Sequence, residues 1–582
     1  MSEPAVHRRA EADSGGDAVS DAVADVAGRY WELTLAAAPT SATLLGIHDH
    51  DDRLEDLSVG ADSALRAKLE HLSDELAVLE PSTIGDRVTA TLLGHQLRTG
   101  IEAIDLRLVE MASDQMLGPH SALLMSAPQL TYPTPADATA SLTRYAQVPR
   151  MLGQALDRFR DGLHAGRTPA TAVIARSINS LEQYLATPCD DDPFLAAGLP
   201  TGPDGSPWDG AEEWRSDAMD LVRDVIRPSF AMYLGVLRDE LAPAGRDDEH
   251  AGWCHLPDGE EMYAALVRAH TTLDRSPQDL HDLGRELTEH ALPAEYVELG
   301  SEVFATSDLH EIFDHLRNDA DLRHRSAEDI TEVATATVAR AAAAMAEWFG
   351  RLPVAPCDVK AVPDFLAADA PYAYYYPPAV DGSRGGTYFI NTANPTEASR
   401  TEAESIAFHE AIPGHHLQIA ISQELDGLPE FQRHDGATSY IEGWGLYAER
   451  LADEMGLYSG PIDRLGMLTA DSWRSARLVV DTGLHALGWS RQQAVDYFRT
   501  HTPVPLDQVL AEVDRYLAMP AQALSYKVGQ LHIQQLRDQA AAGLGSRFSI
   551  ADFHDVVLGS GAVTLPVLSE LVQHHIDERS AT

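Results

Sequence analysis

The chain has 582 residues, 44% of them hydrophobic, and sets 90 acidic side chains against 43 basic ones for a formal charge of −47 and a pI near 4.7. That length supports one large two-lobed enzyme or two to four ordinary domains, and so acidic a surface repels phosphate backbones and anionic membranes, which excludes nucleic acid and membrane as expected partners. Cys189, Cys254 and Cys357 stand far apart in no metal or redox spacing; with no hydrophobic signal core and no bilayer-length apolar run, a reducing, cytoplasmic setting is expected.

In chain order, residues 1–20 read as a disordered, polar N-terminus. Helix periodicity then dominates residues 21–352, as in "ADSALRAKLEHLSDELAVLE", "SLTRYAQVPRMLGQALDRFRDGL" and "EDITEVATATVARAAAAMAEWFGRL", where apolar residues recur at three- and four-residue steps. Pro-, Gly- and Asp-rich stretches near residues 200 and 250 read as loops too short to be free linkers. Between residues 353 and 394 the composition changes: "PYAYYYPPAVDGSRGGTYFINTANP" is aromatic and β-branched with glycine turns, and predicts a small sheet. Helices resume through residues 396–455 and on to 582. The expected fold class is mostly α: a helical lobe over 21–352 and a second lobe over 353–582, intertwined as one unit, with the small sheet beside the helix described next.

That helix is "PTEASRTEAESIAFHEAI", with Thr396 as its N-cap, and it runs into "AFHEAIPGHHLQ". His409 and Glu410 begin the zinc-hydrolase pattern H-E-x-x-H, yet Pro413 stands where the second histidine belongs. On a straight helix His415 would point about 120° away from His409, and His416 would align but lie about 10 Å further on. Neither could share a tetrahedral zinc, whose ligand nitrogens are about 3 to 3.5 Å apart. A proline distorts the helix here, and a wide turn at Pro413-Gly414 can absorb two residues and return "GHH" to the ligand position. Removing Ala411 and Ile412 on paper leaves "HEPGHH", a match that ends at His415. His415 is therefore the expected second ligand, with His416 the alternative or a residue behind the ligands. Zinc also needs a third protein ligand, and "SYIEGWGLYAERLADEMG" offers Glu442, with Glu449 seven residues on along the same helical face to orient a ligand imidazole. The competing reading of Glu442 is a capping box with Ser439.

With "FHEAIPGHHLQ", "EGWGLYAE", "PPAVDGSRGGTYFINT", "ARLVVDTGLHALGWSRQQA" and "PAQALSYKVGQLHIQQLR" the chain resembles the bacterial family known as domain of unknown function 885, over nearly its whole length. The resemblance implies a gluzincin-like, two-lobed helical metallopeptidase architecture with a deep cleft, similar to the carboxypeptidase-Taq, thimet-oligopeptidase and angiotensin-converting-enzyme group. It implies one zinc per chain and hydrolysis of a peptide or small amide substrate by a zinc-activated water. Glu410, adjoining the first ligand, is the general-base candidate. Related helical peptidases use a phenol from a downstream helix for the oxyanion, which points to Tyr526 in "ALSYKVGQ". His485 competes for that role at the end of the stripe Arg477, Asp481, His485, whose four-residue spacing reads equally well as surface pairing. Arg384 and Arg477 are candidates to grip a substrate, and the strand "TYFIN", with Tyr388, could pair with a peptide backbone. "GSRGG" precedes a strand and is no phosphate loop; "HDHDD", "CHLPDGEE" and the pair His574-His575 are set aside as metal sites. The readings that compete with a peptidase are an amide-processing biosynthetic metalloenzyme and a catalytically silent helical scaffold.

Overall fold

The structure is a computed structural model and describes residues 19–202, 205–362, 371–379 and 384–581. The stretch expected to be disordered lies almost wholly outside these residues, and the first helix begins at Asp21. Helices then follow one another to Trp348, and their starts obey local chemistry. The hydroxyl of Ser58 accepts the Ala61 N–H, Thr83 and Thr134 form capping boxes with Asp86 and Asp137, and Ser326 accepts the Asp329 N–H. The segment from Ser141 to Leu163 is two helices, Pro135–Tyr145 and Val148–His164, because Pro149 sits in the first turn of the second. The stretches near 200 and 250 are short 3-10 turns, as loop-like composition predicts. Tyr145, Phe159, Trp214, Phe230 and Tyr233 form the centre of the core in this part of the chain.

Three strands follow: β1 (Cys357–Ala361), β2 (Ala373–Tyr376) and β3 (Gly386–Ile390), in the order β1-β3-β2, with β1 parallel and β2 antiparallel to β3. Since β3 is central, both its edges are taken, so "TYFIN" cannot receive a peptide by strand addition; among the described residues the outer edges belong to β1 and β2. Its inner side chains, Tyr388 and Ile390, pack on Ala407 and Ala411 and on Ile330 and Ala334 of the helix Ala327–Trp348. Tyr388 is 1% exposed, which places it under the site rather than in contact with a substrate.

The helix expected from Thr396 begins only at Ala403. The residues before it pair instead with another loop: His324 N–H donates to Ala398 O, and Arg400 N–H donates to Leu322 O. The C-terminal part is built around the crossing of two helices, Thr438–Glu454 and Ser525–Leu544. At their contact a Cβ on Gly529 would lie 1.8 Å from Ser439 O, so only glycine permits the approach. Trp444, Tyr447, Leu451, Ile533 and Leu536 fill the core around it. All three cysteines are free, and among the described residues no helix is long and apolar enough to cross a membrane.

Candidate metal centre

Pro413 does what its chemistry requires. The first helix ends at Glu410, four turn residues include a cis Ile412–Pro413 bond, and a second helix runs from His415 to Gln423. The turn folds back onto the helix end so closely that a Cβ on Gly414 would stand 1.9 Å from His409 O. The indole of Trp444 donates to Pro413 O at 2.9 Å and ties the turn to the third helix, Thr438–Glu454.

These helices bring His409, His415 and Glu442 together, with one ligand atom of each within 4.8 Å of the others. Glu442 Oε2 lies 3.5 Å from His409 Nε2 and 3.6 Å from His415 Nε2. The two imidazoles stand edge to face with ring centroids 4.6 Å apart. Gly445 makes room for the first of them, since a Cβ there would be 2.7 Å from the His409 ring. Ala437, not Ser439, caps the third helix, so the capping-box reading of Glu442 falls away. Behind the cluster His409 Nδ1–H donates to Glu449 Oε1 at 2.8 Å, and the Ser405 hydroxyl donates to Glu449 Oε2 at 2.6 Å. Arg474 Nη2 lies 4.0 Å from the same carboxylate.

His416 is turned away. Its Nδ1 accepts the Tyr375 hydroxyl at 2.9 Å and its Nε2–H donates to Ala355 O at 3.1 Å, so the two nitrogens join the helix to β2 and to the loop before β1. Burial holds this ring neutral by lowering its pKa to about 4. Within the cluster the balance is reversed. Burial works to lower the His409 pKa, but hydrogen bonds to Glu442 and Glu449 outweigh it and raise it to about 9. Burial likewise opposes the charge on Glu442, yet the hydrogen bonds from His409 and His415 hold its pKa well below the carboxylate range. Glu410, next to His409, is pushed up by burial and by Glu442, against the two histidines.

Tyr526 joins the group: its ring lies 6.4 Å from that of His409, with planes 21° apart. The other expectations on the helix Pro461–His485 need correction. His485 is 0% exposed and both ring nitrogens are engaged by backbone, Nδ1 accepting Trp253 N–H and Nε2–H donating to Tyr516 O. It has no hydrogen left for an oxyanion. Asp481 accepts the Tyr263 hydroxyl at 2.6 Å, so the stripe is buried packing and not surface pairing. Arg477 is 4% exposed and lies against the Tyr526 ring, out of a substrate's reach. Arg384 stacks on Tyr376, 4.4 Å from the ring centroid, half-buried beside the strand whose Tyr375 holds His416. Sequence reasoning missed Ser405, Gly445 and Arg474. The four-residue step from Ser405 to His409 is the signal that could have found the first of these.

Of the segments set aside, "HDHDD" does join Asp137 in bringing His48, Asp51 and Asp137 together. Their carboxylates are already engaged: Asp51 accepts Thr43 at 2.5 Å and lies 3.6 Å from Arg144, while Asp137 caps its own helix. His574, also set aside, has Glu578 one turn on at 3.1 Å.

No curated protein matches the chain. Among solved structures it is similar to a candidate lipoprotein of Colwellia psychrerythraea, 26% identical with a TM-score of 0.88 over 96% of this chain and 99% of that one. A candidate lipoprotein of unknown function from Shewanella oneidensis shares the fold at 15% identity, TM-score 0.73, over 95% of this chain and 100% of that one. A carboxypeptidase of Pyrococcus furiosus in an apo-Mg form aligns at 9% identity with a TM-score of only 0.40, over 96% of this chain and 99% of that one. The family model described as "Bacterial protein of unknown function (DUF885)" matches residues 39–572, and the chain belongs to that family.

Proposed function

We propose that the chain is a zinc-dependent hydrolase of peptide or amide bonds, in a gluzincin-like architecture whose lobes, 21–352 and 353–582, flank a cleft over the ligand helices. The observation that carries this reading is the convergence of His409 Nε2, His415 Nε2 and Glu442 Oε2. The donor set fits zinc: two imidazoles and a carboxylate, with Glu442 Oε2 at 3.5 and 3.6 Å from the two nitrogens, against roughly 3.4 Å between ligands of tetrahedral zinc. Bound there, zinc supplies Lewis acidity, polarising a carbonyl and acidifying a coordinated water.

The chain's own residues divide the remaining work. Glu410, its affinity for protons raised by burial, takes the proton of the attacking water and returns it to the leaving amine. The Tyr526 phenol donates to the oxyanion that develops on the substrate carbonyl. Glu449 fixes the tautomer of His409 by accepting its Nδ1–H. Arg384, half-buried beside the sheet, remains a candidate for a substrate carboxylate. A cytoplasmic location belongs to the same proposal, is set against the lipoprotein descriptions of two structural relatives, and is tested by cell fractionation.

Elemental analysis of the purified protein tests the metal: about one zinc per chain is expected, falling to near zero in His409→Ala and in Glu442→Ala. A panel of dipeptides and N-acyl amino acids offered to the zinc-loaded protein tests the chemistry. A folded wild type that holds no zinc would end this reading.

A further inference from the structure

Arg477 is buried at a cost, since a guanidinium gives up hydration that no apolar side chain would lose. Its nitrogens are incompletely repaid. Nε–H donates to the Tyr516 hydroxyl at 3.0 Å and Nη2–H to Glu512 Oε2 at 3.0 Å, while Nη1 is buried with no hydrogen-bond partner among the described residues. Its flat faces are what the fold uses. The guanidinium carbon lies 4.4 Å from the centroid of Tyr526 and 4.7 Å from that of Trp473, and the Tyr526 ring in turn lies 6.4 Å from His409. Trp473, Arg477, Tyr526 and His409 thus form one continuous stack that ends on a candidate metal ligand. The guanidinium within it is held edge-on: Glu512 accepts Arg515 Nη2–H at 3.0 Å and the Tyr516 hydroxyl at 2.6 Å as well as Arg477.

We propose that Arg477 is a positioning residue, a guanidinium plate anchored by Glu512 and Tyr516 that holds the Tyr526 phenol in register with His409. This goes beyond the hydrolase reading, and only its catalytic consequence rests on that reading. A planar cation suits the task because it stacks on aromatic faces while its edge takes hydrogen bonds in a second direction. Lysine offers a charge without the plane, and methionine offers bulk without either.

The test is site-specific incorporation of 3-fluorotyrosine at position 526 in the full-length protein, read by fluorine NMR with and without zinc. Arg477→Met is compared with wild type, circular dichroism and thermal unfolding establish that each variant is folded, and a second label at Tyr233 reports on a distant core. The expected result is a shifted and broadened resonance at 526 in Arg477→Met, an unchanged one at 233, and only partial restoration by Arg477→Lys. If Arg477→Met does not fold, Glu512→Ala, which removes the acceptor shared by Arg477 and the Tyr516 hydroxyl and leaves the plate, should broaden the same resonance. An unchanged resonance at 526 in either folded variant would overturn the proposal whatever the protein hydrolyses. With a substrate in hand, Arg477→Met should lower kcat about 10- to 100-fold at constant KM, the scale of a small misplacement. A change in KM alone would mean that Arg477 meets the substrate, and would also overturn it.

Discussion

His415 and His416 are the same side chain one position apart, and their surroundings give them different work. His415 shares Glu442 with His409, whereas the two nitrogens of His416 are spent on Tyr375 and Ala355. His415→Ala should therefore empty the proposed metal site. His416→Ala should keep most of the metal and instead lose about 1 to 3 kcal/mol of stability, the cost of stranding buried hydrogen-bond partners; zinc content beside urea denaturation separates the two outcomes. Glu410→Gln keeps size and hydrogen bonding but removes the proposed base. At matched zinc content it should keep the fold and lower kcat by roughly 10²- to 10⁴-fold, so a rate near wild type would return Glu410 to a structural role. The cluster of His409 and His415 was legible because a His-Glu pair, a proline and a His-His pair constrain one another within twelve residues, Ala407 to Gln418. Arg477 and His485 were misread because four-residue spacing fixes a shared helix face but not whether that face meets water.

At the scale of elements, the site depends on helices meeting more closely than side chains allow. Gly529 touches the backbone of the helix Thr438–Glu454, which carries Glu442, and lies three residues after Tyr526. Gly529→Ala would drive a Cβ into Ser439 O, forcing the helices apart or the fold to yield. A loss of at least about 3 kcal/mol is expected, at the upper end for overpacking, and denaturant titration measures it. A variant as stable as wild type would mean that the crossing is looser than this geometry. The sheet teaches the complementary lesson: its existence followed from composition, yet strand order depends on pairings distant in sequence. Placing β3 between its neighbours is what removes the expected peptide-binding edge.

For the whole molecule, burial decides the response to pH. His120, His485 and His554 are each 0% exposed, and burial lowers their pKa to about 3. Unfolded, such a ring titrates near 6.5. Between these values the unfolded chain binds more protons, so each ring contributes stability that is present above about pH 6.5 and is lost as pH falls. Asp481 acts in the opposite sense: burial raises its pKa to about 7, so it favours the fold at low pH and the contribution is lost as pH rises. Comparison with a variant isolates one ring. Both nitrogens of His120 are buried without a hydrogen-bond partner among the described residues, so His120→Phe should be at least as stable as wild type at pH 7.5. Between pH 6.5 and 5.5 it should lose about 1 kcal/mol less than wild type. Parallel curves from urea unfolding would show that His120 is protonated in the fold.

The sequence by itself determined what depends on neighbours along the chain. Helix-forming periodicity, the break at Pro413 and the candidacy of His409, Glu410, His415 and Glu442 all follow from spacing and local backbone chemistry. Only the tertiary structure decided which of two adjacent histidines turns toward Glu442, that Ser399 and its neighbours pair with a loop instead of extending a helix, and that Arg477 lies beneath Tyr526. The reason is physical: these outcomes turn on desolvation and on contacts between residues far apart in the chain, and neither is set until the helices have packed.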